Sequence, residues 1–175
     1  MAHTLSDSHF KMMSFMFTIR DFFRPRDFIL NELDFLPGSQ VLDFGCGPGT
    51  YSILAAQRVG GSGKVYALDI HPLAIKSVQQ KATQKGLKNI TTIQSDSKTG
   101  LPDQSIDIIL LYDTFHHLHE PDRILQEFQR ILKRNGILSV SDHHLQETEL
   151  VNEISQGGYF ALAQKGKWTY QFSKV

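Results

Sequence analysis

The ten residues VLDFGCGPGT, at positions 41–50, constrain the fold of this chain more than any other part of its sequence. An apolar run that carries Asp43 leads directly into three glycines on alternate positions, Gly45, Gly47 and Gly49. Glycine adopts positive φ without steric cost and lets another group approach the backbone closely. A short buried strand that turns through such a loop into a helix is typical of open parallel α/β sheets, where ligands bind beyond the carboxyl ends of the strands. The segment therefore predicts both a sheet and a ligand site at its edge.

Strand-like and helix-like segments alternate along most of the chain, and several are bounded by proline or glycine. The predicted helices cover about 25–36 and 50–59, run from Pro72 to a stop at Gly86 and from Pro121 to a stop at 135–136, and end with one near 147–156. The predicted strands are 41–44, 64–70, 89–96, 106–113 and 137–142, followed by a terminal pair at 159–164 and 168–175. This order predicts an α/β fold, a three-layer αβα sandwich with a mostly parallel seven-stranded sheet and a C-terminal antiparallel hairpin.

We expect one domain over residues 1–175, because no linker or internal repeat divides the chain. Residues 25–142 would form its core, and residues 143–175 a C-terminal helix and hairpin. The N-terminal segment 1–24 is rich in Phe and Met, above all at 10–17, FKMMSFMF. It has two interpretations: a cover that acts as a lid over the site, or an apolar helix docked on the sheet edge, since Met and Phe at helical spacing usually mean core.

The composition excludes several classes of partner. Eighteen basic and eighteen acidic residues cancel, so the chain lacks the basic surface expected of a protein that binds nucleic acid. No apolar stretch approaches the length of a membrane span, and we expect neither stable membrane insertion nor a secretory signal. The single cysteine, Cys46, cannot form an intramolecular disulfide, which favours the cytoplasm. A small molecule is the partner that we expect.

Two common nucleotide-binding loops fit the glycine spacing poorly. The dinucleotide fingerprint is G-x-G-x-x-G, whereas this loop is G-x-G-x-G, and the phosphate loop of nucleotide hydrolases requires a lysine that does not follow here. A nicotinamide-dependent oxidoreductase is an alternative that rests on the glycines and Asp69 alone. A tight strand-to-helix turn without any ligand is the simplest alternative.

The segment VLDFGCGPG resembles the first motif of the class I methyltransferases, which bind S-adenosylmethionine (SAM). Further matches follow in the family's order: Asp69 ends the second strand in VYALDIHP, Asp96 ends the third in TIQSDS, and the fourth runs into DTFHHL. The segment RILKRNGILSVSD resembles the family's helix, glycine turn and fifth strand. The resemblance covers roughly 25–142 well and the terminal hairpin loosely. Within this family, the chain resembles the small-molecule methyltransferases of ubiquinone and menaquinone biosynthesis.

The resemblance implies SAM as the cofactor and gives roles to the acidic positions. Asp43 would meet the charge of the ammonium and sulfonium groups, Asp69 would accept hydrogen bonds from both ribose hydroxyls, and Asp96 from the adenine amine. The other positions that it assigns to the cofactor are Gly45, Cys46, Gly47, Gly49, Ile70, Ser97 and Asp113. Cys46 would serve as a small residue in a cramped loop, not as a nucleophile.

Each of these assignments has a structural alternative. Asp43 could bond the amides of its own loop, and Asp69 could cap the helix that begins at Pro72. Asp96 could be a turn residue, and Ile70 could belong to the apolar core.

Histidines are frequent, with eight in 175 residues, and four of them form the pairs His116-His117 and His143-His144. Each pair follows a predicted strand end, so both fall on the functional edge of the sheet. Asp113, His116 and His143 are therefore candidates for a general base that removes a proton from the acceptor. A buried, hydrogen-bonded structural histidine in each pair is the alternative. Adjacent residues rarely point at one ion, and we predict no metal site.

Two functional hypotheses follow. The first is a SAM-dependent methyltransferase that transfers a methyl group in line from the sulfonium to a small-molecule acceptor and produces S-adenosylhomocysteine (SAH). The second is a SAM-binding protein of the same fold that is non-catalytic, or regulatory and dependent on a partner. A quinone-like or other apolar aromatic acceptor suits the Phe- and Met-rich N-terminal segment.

Overall fold

The computed structural model describes residues 6–23 and 26–175. Its strands are β1 Gln40–Phe44, β2 Lys64–Asp69, β3 Ile90–Gln94, β4 Ile106–Tyr112, β5 Leu132–Ser141, β6 Phe160–Lys165 and β7 Tyr170–Lys174. Its helices are α1 Asp7–Phe23, α2 Asp27–Leu30, α3 Thr50–Val59, α4 Pro72–Gln84, α5 Pro121–Ile131 and α6 Glu147–Ser155, with a 3₁₀ turn at Phe115–His117. The strands form one sheet in the order β3-β2-β1-β4-β5-β7-β6. Strands β1 to β5 are parallel, and β7 is antiparallel to β5 and β6. The predicted sheet with its terminal antiparallel hairpin is confirmed.

Apolar side chains form separate cores on the two faces of the sheet, because successive residues of a strand point to opposite faces. In β1, Val41 packs on one face and Leu42 on the other. In β4, Leu110 likewise packs on the same face as Val41, and Leu111 on the same face as Leu42. Helices α2 and α3 cover the first face, and α5 and α6 cover the second. The central strands are therefore apolar on both faces, as parallel strands in a layered fold require.

The predicted helix over 25–36 is wrong in length, because α2 ends at Leu30. The chain continues in turns, with i→i+3 hydrogen bonds from Glu32 N to Ile29 O and from Leu33 N to Leu30 O. The Glu32 carboxylate then accepts backbone N–H groups from the connection between β6 and β7. These long-range hydrogen bonds compete with a continued helix, and no local sequence pattern contains them.

Strand β5 begins at Leu132, well before the predicted start. Leu132 pairs with Ile106, and the register shifts before the next pair at Ile108. The Asn135-Gly136 stop therefore lies inside an irregular stretch of the ladder rather than at the end of a helix. A Cβ on Gly136 would lie 2.7 Å from Leu132 Cδ1, so the close approach of the chain to itself explains the glycine.

Helix α1 reaches the carboxyl edge of the sheet through Phe10. The Phe10 side chain is buried, and its ring stacks on His71, which follows β2, with 4.4 Å between centroids and 15° between planes. The side chains of Met12, Phe15 and Met16 are exposed. Residues 1–5 and 24 of the expected cover lie outside the described residues. In the part of the chain that the structure describes, no helix is long and apolar enough to cross a membrane.

Candidate active site

The loop between β1 and α3 brings three glycines with positive φ to the carboxyl edge, with φ of 74° at Gly45, 51° at Gly47 and 88° at Gly49. Packing requires two of them: a Cβ on Gly45 would lie 2.5 Å from Thr114 Cγ2, and one on Gly49 would lie 2.6 Å from Val78 Cγ2. Gly47 differs, because a Cβ there would meet no described atom within 4 Å. Its α-carbon faces open space that a ligand can occupy.

Asp69, at the end of β2, holds the glycine loop in place. Its Oδ2 accepts the Gly47 N–H at 2.8 Å, and its Oδ1 accepts the His71 N–H at 2.8 Å. Burial raises the pKa of the Asp69 carboxyl, and these backbone hydrogen bonds oppose the rise. The N-cap of α4 is His71, whose Nδ1 accepts the Leu73 N–H at 3.1 Å. The capping alternative for Asp69 is therefore wrong.

Asp43 is almost fully buried in β1, with 2% of its surface exposed. Ser52, in the first turn of α3, donates its hydroxyl to Asp43 Oδ2 at 2.5 Å. Burial raises the pKa of Asp43 to about 7; the negative charge of Asp69 adds to the rise, and the hydrogen bonds from Ser52 oppose it. Near neutral pH, a large share of the molecules therefore carries a proton on Asp43.

Asp43 and Asp69 form an acidic centre, a name that we keep for this pair. No ion pair between described residues joins either carboxylate to a lysine or an arginine. A buried carboxylate without a counter-charge is costly, and a nearby cation favours its ionised form. The centre adjoins the open α-carbon of Gly47 through the Asp69 hydrogen bond. A ligand with an ammonium and a sulfonium group, such as SAM, fits both features.

Cys46 lies within the glycine loop and is buried. Burial, together with the charges of Asp43 and Asp69, raises the pKa of its thiol well above the usual range. Because the thiolate, not the thiol, is the reactive form, Cys46 is inert at neutral pH. This agrees with its interpretation as a small packing residue.

The end of β3 is open to solvent. Asp96 is exposed, and its Oδ1 accepts the Ser97 hydroxyl at 3.0 Å. The turn itself is closed by Ser95, whose Oγ accepts the N–H of Ser97 at 3.4 Å and of Lys98 at 3.1 Å. The Asp96 carboxylate therefore keeps acceptor capacity for a ligand. Ile70, which follows β2, is half-buried rather than part of the closed core.

Asp113 follows β4 in the left-handed region, with φ of 50°. Few residues other than glycine adopt this conformation, which is kept where the surroundings determine it. Here the Asp113 N–H donates to Ser141 O at 2.7 Å, which ties the end of β4 to the end of β5. Asp113 Oδ1 lies 2.6 Å from His143 Nδ1. The pair is open to solvent, because the His143 side chain is 68% exposed.

His116 pairs with Asp142, which follows β5. Its Nδ1 lies 2.8 Å from Asp142 Oδ2, and the side chain of Asp142 is fully buried. The rings of the four paired histidines lie in one row, each tilted against the next, with neighbouring ring centroids 3.9, 4.1 and 4.0 Å apart. We call this the histidine row; in order it contains His117, His116, His144 and His143.

The sheet order brings these side chains to one edge. From β2 to β5 the edge carries Asp69, the glycine loop, Asp113 and Asp142. Sequence analysis assigned no role in this site to Asp142, Ser52 or His71. The signal for Asp142 was present, since it follows the fifth strand as Asp113 follows the fourth. Among the described residues, no group of three or more His, Cys, Asp or Glu side chains is placed to hold a metal ion.

Comparison with known proteins identifies the family. The family model described as a methyltransferase domain matches residues 36–173, and the chain belongs to that family. The resemblance seen in the motifs is thereby confirmed. The chain is also similar to a SAM dependent methyltransferase from Aquifex aeolicus, whose crystal structure aligns with a TM-score of 0.79 and 25% identity over 98% of each chain.

Two named relatives share part of the chain. An aklanonic acid methyltransferase from Streptomyces sp. (strain C5) is 35% identical over 102 residues, 57% of this chain and 46% of the relative. A demethylmenaquinone methyltransferase from Geobacillus stearothermophilus is 28% identical over 131 residues, 74% of this chain and 56% of the relative. This chain therefore matches about half the length of each relative.

Proposed function

We propose that this protein is a SAM-dependent methyltransferase that transfers a methyl group to a small-molecule acceptor and produces SAH. The observation that carries the proposal is the acidic centre beside the open backbone of Gly47, in a chain of the methyltransferase domain family. No lysine or arginine among the described residues forms an ion pair with this centre, and a cationic ligand supplies positive charge there. The glycine spacing also favours SAM over a nicotinamide cofactor.

In this proposal the cofactor lies across the ends of β1, β2 and β3. Asp43 pairs with the charged methionine end, and Asp69 accepts hydrogen bonds from the ribose hydroxyls. A carboxylate offers about four lone pairs, so Asp69 can accept these in addition to its backbone hydrogen bonds. Ile70 and Asp96 serve the adenine. The remaining cofactor contacts are assigned to Gly45, Cys46, Gly47, Gly49, Ser97 and Asp113.

The acceptor lies over the ends of β4 and β5, where Asp113, His116 and His143 position it and where one of them removes its proton. When bound, SAM supplies a methyl group that is already activated as a sulfonium. The protein's own contribution is to hold the nucleophilic atom in line with that group and to keep water away. The histidine row places imidazole groups, which can accept a proton, at this edge of the sheet.

The acceptor class is a small molecule. The relatives' names give aklanonic acid and demethylmenaquinone as two acceptors of this kind. An apolar aromatic or quinone-like compound matches the exposed Phe15 and Met16 of α1, which we propose as part of a cover formed by residues 1–24. Residues 25–142 and 143–175 complete the single domain that we propose. The balanced charge argues against nucleic acid, and the one buried free cysteine supports the cytoplasm.

Calorimetric titration of the purified protein with SAM, SAH and NAD tests the cofactor assignment. We expect SAM and SAH to bind and NAD to give no heat beyond dilution. Silence from SAM and SAH, in a protein shown to be folded, would contradict the assignment. Binding of NAD alone would favour an oxidoreductase.

A second assay separates the enzyme from a SAM-binding regulatory protein. SAH formation is measured with reduced demethylmenaquinone and with aklanonic acid as acceptors. Turnover above the acceptor-free background supports the enzyme, whose relatives are named as methyltransferases. SAM binding without turnover of either acceptor favours the regulatory alternative.

A further inference from the structure

His116 is the histidine of the row whose ring is fixed most completely. The rings of His117 and His144 lie against it at a tilt, with centroid distances of 3.9 and 4.1 Å and interplanar angles of 44° and 43°. Its Nδ1 lies 2.8 Å from Asp142 Oδ2. Two neighbouring rings and a hydrogen bond at Nδ1 thus restrain the ring, and the structure gives Nε2 no hydrogen-bond partner among the described residues. The ring is held in one orientation with one nitrogen free to act.

Asp142 determines which ring nitrogen of His116 remains free. Its carboxylate also accepts the backbone N–H of His116 at 3.1 Å and of His144 at 3.0 Å. Burial alone would raise the pKa of Asp142, but the hydrogen bonds from these two residues lower it below its usual value. An ionised Asp142 can only accept, so Nδ1 of His116 carries the hydrogen. In the neutral imidazole the lone pair then belongs to Nε2.

The pair formed by His143 and Asp113 lacks these constraints. Its side chains are 68% and 29% exposed, against 16% and 0% for His116 and Asp142. Water competes for both partners of an exposed pair and screens their charges. Both pairs consist of a histidine and an aspartate. Because the His116–Asp142 pair is the more buried, His116 is the better oriented candidate for a base.

Several titratable groups surround His116. They are His117 and His119 from the segment after β4, His143 and His144 from the segment after β5, and the carboxylates Asp113 and Asp142. Burial and, next, the proximity of His116 lower the pKa of His117. The lowered pKa favours the neutral form of His117.

We propose that His116 is the general base of the reaction, acting through Nε2, and that Asp142 is its positioning residue; this inference rests on the proposed function. The acceptor's X–H bond breaks, its proton passes to Nε2, and the electron pair left on X forms the bond to the methyl carbon. The electron pair of the broken carbon–sulfur bond stays on sulfur. The positive charge lost from sulfur appears on the imidazolium, opposite Asp142. This step applies to an acceptor that enters protonated, as a hydroxyl or an acidic C–H group does.

Nitrogen NMR of the imidazole groups in the full-length protein, titrated across neutral pH without acceptor, tests the geometry. We expect neutral His116 to be the tautomer with hydrogen on Nδ1. Asp142→Asn should lower the protonation midpoint of His116 by about 1–3 pH units, because the imidazolium loses its charge partner. His143→Asn is the matched control and should leave both properties of His116 unchanged. Hydrogen on Nε2 in the unsubstituted protein, or an unmoved midpoint in a folded Asp142→Asn variant, overturns the proposal.

A kinetic experiment tests the chemistry, with reduced demethylmenaquinone as the probe acceptor. His116→Asn should lower kcat by about 10²–10⁴-fold and leave SAM binding in calorimetry unchanged. Asp142→Asn should move the acidic limb of the pH–rate profile downward, and the control His119→Asn should leave kcat unchanged. Full activity of His116→Asn overturns this inference alone, whereas absence of SAM binding to the unsubstituted protein overturns the proposed function. If this probe is not turned over, the tautomer and the midpoint decide.

Discussion

At the scale of single residues, the raised pKa of Asp43 should make the proposed binding of SAM depend on pH. Burial and the nearby Asp69 carboxylate raise the pKa of the Asp43 carboxyl to about 7, against the opposing effect of the hydrogen bond from Ser52. A bound cation favours the ionised form. Below pH 7 the free protein must therefore lose a proton from Asp43 when SAM binds, and that cost grows as the pH falls. Above pH 7 the carboxylate is already ionised and the cost disappears.

We therefore expect the SAM dissociation constant to fall with rising pH, by up to about tenfold per pH unit below pH 7, and then to level off. Calorimetry in buffers with different heats of ionisation should detect the release of up to one proton per SAM. SAH lacks the sulfonium and should show a smaller dependence. Asp43→Asn should bind SAM more weakly at pH 8 and remove the dependence; a dependence that persists in this variant would place the proton elsewhere.

At the scale of secondary-structure elements, the irregular start of β5 depends on a glycine. Gly136 packs against Leu132, where a Cβ would lie 2.7 Å from Cδ1, and against Asp107 O at 2.9 Å. Gly136→Ala should lower the free energy of unfolding by about 1–3 kcal/mol, because the backbone oxygen cannot move away cheaply. Gly61→Ala is the control, since no described atom lies within 4 Å of its Cβ position. Urea unfolding measures both, and equal stability of the two variants would contradict the packing argument.

Glu32 joins the turn after α2 to the β6–β7 connection. Its carboxylate accepts the backbone N–H groups of Lys167, Trp168 and Thr169. Glu32→Ala should cost about 1–3 kcal/mol, because it leaves these donors without their charged acceptor. The control is Asp34→Ala, an exposed position that should change stability by less than about 0.5 kcal/mol. A thermal unfolding midpoint for Glu32→Ala that matches the control would show that these hydrogen bonds do not stabilise the fold.

The elements that could be predicted are those whose signals are local. Pro72 at the start of α4 and the apolar runs of β1 and β4 contain their own pattern. The length of α2 depends on the hydrogen bonds of Glu32, and the start of β5 depends on the pairing of Leu132 with a distant strand. Both are contacts between residues far apart in sequence, so a local stretch of sequence does not reveal them.

The same distinction applies to the candidate site. The glycines and acidic strand ends have fixed spacing, so the motif located them. The cap by His71 instead of Asp69, and the pairing of Asp142 with His116, depend on side-chain geometry that only the folded chain defines.

At the scale of the whole molecule, α1 packs against the edge that carries the site. Phe10 stacks on His71, and the backbone N–H of His71 donates to Asp69, so this contact links the N-terminal helix to the proposed ribose carboxylate. The two interpretations of the N-terminal segment differ in what the loss of this contact should do. A lid that covers bound SAM should slow its release, whereas a helix that is only docked on the edge should affect stability and not release.

We expect Phe10→Ala to speed SAM dissociation by about 2–10-fold, which corresponds to the roughly 0.5–1.5 kcal/mol of an aromatic contact. Phe15→Ala is the matched control on the same helix, because Phe15 is 66% exposed. Stopped-flow displacement of SAM by excess SAH measures both rates. If Phe10→Ala lowers the unfolding free energy but leaves the dissociation rate equal to that of Phe15→Ala, α1 is a docked helix and the lid proposal is wrong. If the rate rises while the control stays at the unsubstituted value, α1 forms part of the site.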